Sequence, residues 1–97
     1  MDKASIMEKM VEFDEFFVIY TEKGQNVQAQ GTVSWRNDPF ILKELKKSSI
    51  NPESITEPDD KAILFWNRSS NSLKCLSIYT IKAVKSLNSV MDTATPM

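Results

Sequence analysis

The stretch that decides the fold is EFFVIYTEKGQNVQAQGTVSW, which runs from Glu15 to Trp35. Its first part, Phe16 to Thr21, is aromatic and β-branched, as is typical of a strand. Gly24 to Asn26 supplies turn residues, and apolar positions then alternate with polar ones from Val27 onward. The pattern predicts a β-hairpin whose second strand has one face in water. Gly31, inside that strand, indicates a bulge or a close approach by another backbone.

The segments on either side of the hairpin are predicted to be helical. Residues 1–13 carry apolar side chains at helical spacing, and either Asp2 or Ser5 is the expected N-cap. A second helix is expected to follow the hairpin, with Asp38 as its N-cap and Pro39 at its first position. Two prolines then indicate a loop over residues 50–60.

The C-terminal part is predicted to add two or three strands. Residues 61–67 and 73–81 form apolar runs separated by a polar turn. Continued to Val84, this segment resembles small barrels of the SH3 or Sm-like type, in which a hairpin is followed by a short turn and a last strand. Apolar residues at steps of three favour a helix over residues 80–91, and a short fifth strand from Ile81 to Leu87 is the alternative.

These elements predict a small α+β domain with an antiparallel sheet of four to five strands. Their order is an N-terminal helix, a β-hairpin, a central helix, a second β-hairpin and a C-terminal helix or strand. The chain has 97 residues, which suits a single core. The domain is expected to span residues 1–91, followed by a flexible tail over residues 92–97. So small a core makes a homodimer a reasonable expectation.

The residue types that the chain lacks exclude several kinds of catalysis. It has no histidine, one cysteine and two glycines. Histidine-based triads, zinc sites and glycine-rich phosphate loops are therefore excluded. The adjacent carboxylates Asp59 and Asp60 are interpreted as a solvated turn, and Cys75 as a small buried side chain. The sequence predicts a protein that is not an enzyme and has neither a cofactor nor a metal.

The same composition predicts an intracellular location. A lone cysteine suits a reducing compartment, and the first residues lack the apolar stretch of a signal peptide. No run approaches the roughly 18 apolar residues of a membrane helix. We therefore expect a cytoplasmic protein, in the host cytoplasm if it is encoded by a phage or virus.

Charge is distributed unevenly along the chain. Residues 1–60 carry seven Lys and Arg against twelve Asp and Glu, a net charge of −5, whereas residues 61–97 carry five against one, a net charge of +4. Such asymmetry can mark two faces with different partners. It can also mean only that the two halves fold against each other.

Two Trp/Arg corners and one acidic loop are the candidate protein-binding features. Tryptophan and arginine combine large contact area with directed hydrogen-bond donors, so they dominate binding energy at interfaces. In the alternation of both strands, however, the two tryptophans also fit the core. The predicted protein-binding residues are Trp35, Arg36, Trp66, Arg68, Glu53, Glu57, Asp59 and Asp60.

The sequence thus favours a small non-catalytic regulator that docks on a larger intracellular protein and inhibits it. The alternative is a nucleic-acid-binding module that uses the Trp/Arg corners and the basic C-terminal half, through Arg68, Lys74, Lys82 and Lys85. A helical segment would place Lys82 and Lys85 on one side. The net negative charge and the absence of a dense basic stripe weigh against this alternative.

Overall fold

The first helix begins at an acidic cap, as its sequence requires. The computed structural model describes residues 2–87. Helix α1 spans Lys3–Phe13, and the Asp2 carboxylate accepts a hydrogen bond from the Ser5 backbone N–H at 2.9 Å. Asp2 is therefore the N-cap, and not Ser5. The helix turns Ile6 and Met10 into the protein interior.

The hairpin after α1 has a tighter turn than the sequence predicted. Strand β1 (Glu15–Glu22) pairs with β2 (Gln25–Thr32) along its whole length. The loop is thus Lys23-Gly24, and both residues have positive φ, as a two-residue type I′ loop requires. Gln25 and Asn26 belong to β2 and not to the turn. Because β2 ends at Thr32, Trp35 does not lie in a strand.

Five strands form one antiparallel sheet in the order β4-β3-β2-β1-β5, and with α1 and α2 they confirm the predicted α+β class. The remaining strands are β3 (Ala62–Asn67), β4 (Ser72–Ser77) and β5 (Ile81–Ser86). A 3₁₀ turn, Ile78–Thr80, separates β4 from β5. The hairpin, short turn and last strand implied by the resemblance to small barrels are therefore present.

The helix favoured for the last segment is wrong, and a β-bulge explains the misleading pattern. Ile81 lies opposite Tyr20 and Val84 opposite Val18, with a register shift between Ile19 and Tyr20. Tyr20 and Val18 point to the same face of β1. The extra residue in β5 therefore puts Ile81 and Val84 on one face although they are three residues apart. The predicted tail, residues 92–97, and the domain limit at residue 91 lie outside the described residues.

Strand β3 is buried on both faces, in keeping with its unbroken apolar run. On one face, Phe65 belongs to a first core shared with α1 and all five strands. On the other face, Trp66 belongs to a second core, which consists of Trp35, Ile41, Leu45 and Trp66 with the partly buried Ile55, Leu64 and Leu73. The first core contains Ile6, Met10, Phe16, Val18, Tyr20, Ala29, Ile63, Phe65, Leu76 and Val84.

Residues 33–61 connect β2 to β3 and supply most of the second core. They contain a 3₁₀ turn at Trp35–Asn37, helix α2 (Pro39–Lys47) and a second 3₁₀ turn at Pro52–Ser54. The Asp38 carboxylate accepts hydrogen bonds from the first turn of α2, which confirms the predicted cap. No helix within residues 2–87 is long and apolar enough to cross a membrane.

Gly31 stands where β2 meets β3. The two strands pair only at Gly31↔Asn67 and Thr32↔Trp66. A Cβ atom at position 31 would collide with the Trp66 carbonyl oxygen and with the Phe65 ring. The close backbone approach predicted for this glycine is confirmed, and it joins the β1–β2 and β3–β4 hairpins into one sheet.

Gly31→Ala is expected to destabilise the fold by about 1–3 kcal/mol, because the added methyl group overpacks a site that is bounded by backbone. Urea unfolding of this variant measures the loss. Gln28→Ala, at an exposed position of the same strand, should change the unfolding free energy by less than about 0.5 kcal/mol. Equal stability of the two variants would contradict the close approach.

Candidate protein-binding groove

Both tryptophans lie in the second core. Trp35 is 1% exposed and Trp66 is 2% exposed, and they pack with Ile41 and Leu45 of α2. Of the two interpretations that the sequence left open, the structure places both side chains in the core. The Trp66 indole nitrogen has no hydrogen-bond partner within residues 2–87, so this side chain contributes through packing.

Arg36 lies directly above this core. Its guanidinium stacks over the Trp35 ring at 4.1 Å from the centroid, a cation–π geometry. Its Nη1 donates to Glu57 Oε1 at 2.6 Å, and its Nη2 donates to the Ile55 carbonyl oxygen at 3.3 Å. The buried tryptophan thus positions an arginine that ties the acidic loop to the rest of the domain.

Three further contacts fix the loop between α2 and β3. The Asn51 side chain accepts from the Glu53 backbone N–H at 3.0 Å, and so caps the 3₁₀ turn there. Ser54 Oγ donates to the Asn51 carbonyl oxygen at 2.7 Å. At the far end, Lys3 Nζ of α1 donates to the Asp59 carbonyl oxygen at 2.8 Å. The loop that the sequence predicted is therefore held at its start, middle and end.

A groove of about 420 Å³ opens between α2 and this loop. Leu42, Pro52 and Ile55 give it an apolar lining, while Arg36 and Glu53 add opposite charges. The Glu53 carboxylate has no hydrogen bond or ion pair within residues 2–87. The groove lining consists of Arg36, Leu42, Asn51, Pro52, Glu53 and Ile55. This arrangement combines an apolar centre with charged groups that can orient a bound segment.

Only some of the residues predicted to bind a protein lie at the groove. Arg36 and Glu53 line it, and Glu57 joins it through its ion pair with Arg36. Asp59 and Asp60 are exposed but do not line it, and Asp59 accepts from the Lys61 backbone N–H at 2.9 Å. No group of three or more potential ligand side chains within residues 2–87 is arranged to hold a metal ion.

Arg68 lies in a separate ionic network at the end of β3. Its Nε and Nη2 donate to both carboxylate oxygens of Glu15, at 3.1 and 3.0 Å, and Nη2 also donates to Asp38 Oδ2 at 2.8 Å. The side chains of Arg68, Glu15 and Asp38 are only 25%, 30% and 26% exposed. The network joins the start of β1, the cap of α2 and the end of β3.

This network shifts the pKa of Asp38 and of Arg68. The hydrogen bond from Arg68 is the main cause that lowers the pKa of Asp38. Hydrogen bonds to Glu15, and then to Asp38, raise the pKa of Arg68, so that the guanidinium stays charged. Arg68 is therefore engaged by two carboxylates, in contrast to the free cation that a phosphate contact requires.

Of the other basic residues of the nucleic-acid alternative, one is paired with a carboxylate and two are exposed on β5. Lys74 lies over the Tyr20 ring and pairs with Glu22 at 3.6 Å. Lys82 and Lys85 are exposed on β5. Because this segment is a strand, the helical face expected for Lys82 and Lys85 does not exist.

Cys75 is exposed, so the prediction of a buried side chain is wrong. It lies on the edge strand β4 opposite Leu64, which is itself only partly buried. Leu73, two residues earlier on the same face, still packs on the second core. The core covers β4 at Leu73 but does not extend to Cys75.

Compared with known proteins, the chain matches no family model, no curated protein and no solved structure at a significant level. The sequence did not single out Leu42, Asn51, Pro52 or Ile55 as site residues. Helical spacing predicts that Leu42 belongs to the buried stripe of the second helix, so it pointed to packing and not to a binding site. The packing of the loop against α2 produces no periodic pattern in the sequence, so residue spacing could not predict the groove.

Arg68→Met is expected to lower the free energy of unfolding by about 2 kcal/mol, because it leaves two half-buried carboxylates without their donor. The folded-state pKa of Asp38 is lowered, so the part of this stabilisation that comes from Asp38 is complete above the ordinary pKa of about 3.9. It should disappear as the pH falls through the lower folded value. Urea unfolding at several acidic pH values measures the difference between the variant and the wild type.

The matched control is Arg36→Met, since the pair of Arg36 with Glu57 is more exposed than the Arg68 network. This variant should lose less than about 1 kcal/mol. Equal losses from both arginines, or a loss at position 68 that does not decrease in acid, would contradict the proposed role of the network.

Proposed function

We propose that the chain is a small non-catalytic domain that docks on a larger intracellular protein through the groove between α2 and the loop, and inhibits that protein. The observation that carries this proposal is the convergence of Arg36, Glu53 and Glu57 beside the apolar Leu42 and Ile55. Protein interfaces combine an apolar centre with a polar rim in this way.

The state of Arg36 supports an interface role. Arginine is enriched among residues whose truncation costs most at interfaces, and stacking on an aromatic ring orients its planar donors. Here Trp35 provides that ring at 4.1 Å. The side chain nevertheless remains 41% exposed, so a partner can reach it.

The fixed loop also supports binding. Association costs free energy when flexible segments become ordered at the interface. Hydrogen bonds of Lys3, Arg36 and Asn51 already hold this loop, so a partner would meet a preformed surface. A domain that acts in this way inhibits by covering a functional surface of its target, which requires no chemistry of its own.

Photo-cross-linking tests the location of the interface. A photoreactive amino acid replaces Glu53 beside the groove or, as the control, Gln28 on β2, which is exposed and outside the groove. After irradiation in a nuclease-treated lysate of the source cells, position 53 should capture one discrete protein and position 28 should not. Capture at position 28 alone, or recovery that nuclease abolishes, would overturn the proposal.

Once the captured protein is purified, Arg36→Ala should weaken its binding by about tenfold or more, which corresponds to about 1.4 kcal/mol, because it removes the side chain that holds Glu57 and Ile55 at the groove. The unfolding free energy of the variant should stay within about 1 kcal/mol of the wild type. Lys9→Ala removes a positive charge from the exposed side of α1 and should leave binding unchanged. Equal effects of the two variants would mean that Arg36 lies outside the interface.

A further inference from the structure

The charge available in the groove is negative, although an arginine lines it. Glu53 lines the groove and Glu57 borders it, and residues 51–60 contain neither lysine nor arginine. The Arg36 guanidinium is already occupied, because its two terminal nitrogens donate to Glu57 and Ile55 while one face covers Trp35. In contrast, the Glu53 carboxylate has no partner within the described part of the chain.

A second acceptor is available on Glu57, which Arg36 ties to the groove. Arg36 contacts Oε1 of Glu57, while Oε2 accepts no hydrogen bond from any side chain or backbone group of residues 2–87. An incoming cation can bind either Glu53 or this oxygen without breaking a bond that the protein makes. An incoming carboxylate would have to displace Glu57 from Arg36 and would lie near Glu53. The geometry therefore favours a cation.

The apolar part of the groove sets the second requirement. Leu42, Pro52 and Ile55 line it, and Ile55 also packs against the second core. About 420 Å³ is near the lower end of the range for ligand pockets, roughly 300–1,000 Å³. The groove thus has room for one or two apolar side chains of a partner and not for a whole packed helix.

Helix α2 indicates the side from which the cation approaches. Lys46 lies one turn after Leu42 on the same face of the helix and has no ion-pair partner within residues 2–87. Its positive charge disfavours a cation along the helix side of the groove. The partner's basic group is therefore expected on the loop side, beside Glu53 and Glu57.

We infer that the groove binds a short extended segment of the partner in which one apolar side chain is flanked by lysine or arginine. This inference rests on the proposed function and specifies the chemistry of the partner. The apolar side chain would enter between Leu42 and Ile55, and the basic residue would pair with Glu53 or Glu57.

Selection from a displayed library of random peptides tests this inference with the wild-type protein as bait. Enriched peptides should share an apolar residue with lysine or arginine within two positions. Added to ¹⁵N-labelled protein, they should shift the amide signals of residues 36–57. Glu53→Lys should weaken their binding by about tenfold or more, since it replaces an attraction by a repulsion.

Glu8→Lys is the matched control, because it makes the same charge change at an exposed position of α1. It should retain peptide binding. Acidic peptides that shift the same amides and depend on Arg36 would overturn the inference and leave the proposed function standing. An absence of enriched peptides, or amide shifts confined to other surfaces, would also overturn the inference. The proposed function is tested separately, by cross-linking at position 53.

Discussion

The burial of β3 on both faces is the constraint on which the rest of the structure depends. Phe65 and Trp66 are neighbours in the chain, and they point into different cores. A strand covered on both sides needs a second layer, which residues 33–61 provide. It also needs β2 to approach closely at Gly31, since that is where the two hairpins join.

The candidate site follows from this constraint through a chain of contacts. Trp66 supports Trp35 in the second core, Trp35 supports the guanidinium of Arg36, and Arg36 holds the loop through Glu57. The groove is the space left between that loop and α2. Substitutions at the tryptophans would therefore damage fold and site together, whereas Arg36 and Glu53 can report on the site alone.

The Arg68 network stabilises the layer formed by residues 33–61 at the start of α2. It fixes Asp38, which both caps α2 and accepts from Arg68. The position of α2 thus depends on packing at Ile41 and Leu45 and on a half-buried ionic network at its start. Arg36 and Arg68 both follow a tryptophan closely in the sequence, but they have different roles. Arg36 holds the loop beside the groove, and Arg68 holds the start of α2.

Local signals in the sequence predicted much of the fold. Residue type and alternation account for the β1–β2 hairpin, for Asp38 as the cap of α2, for the apolar strand β3 and for the close backbone approach at Gly31. The fifth strand was predicted only as the alternative to a helix, because the bulge in β5 gives its apolar residues helical spacing. The role of Arg68 was hidden for another reason: its partner Glu15 lies 53 residues away, and no local pattern encodes that pairing. The groove could not be predicted for the same reason, since it forms where the loop packs against α2 and no local pattern encodes that contact.

Hydrogen–deuterium exchange of the domain, alone and bound to the protein captured at position 53, tests the central claim most directly. Binding through the groove should slow exchange in residues 36–57 and leave β5 and the exposed side of α1 unchanged. Protection confined to β5, or to the β1–β2 hairpin, would show that the partner binds elsewhere and would contradict the proposed role of the groove.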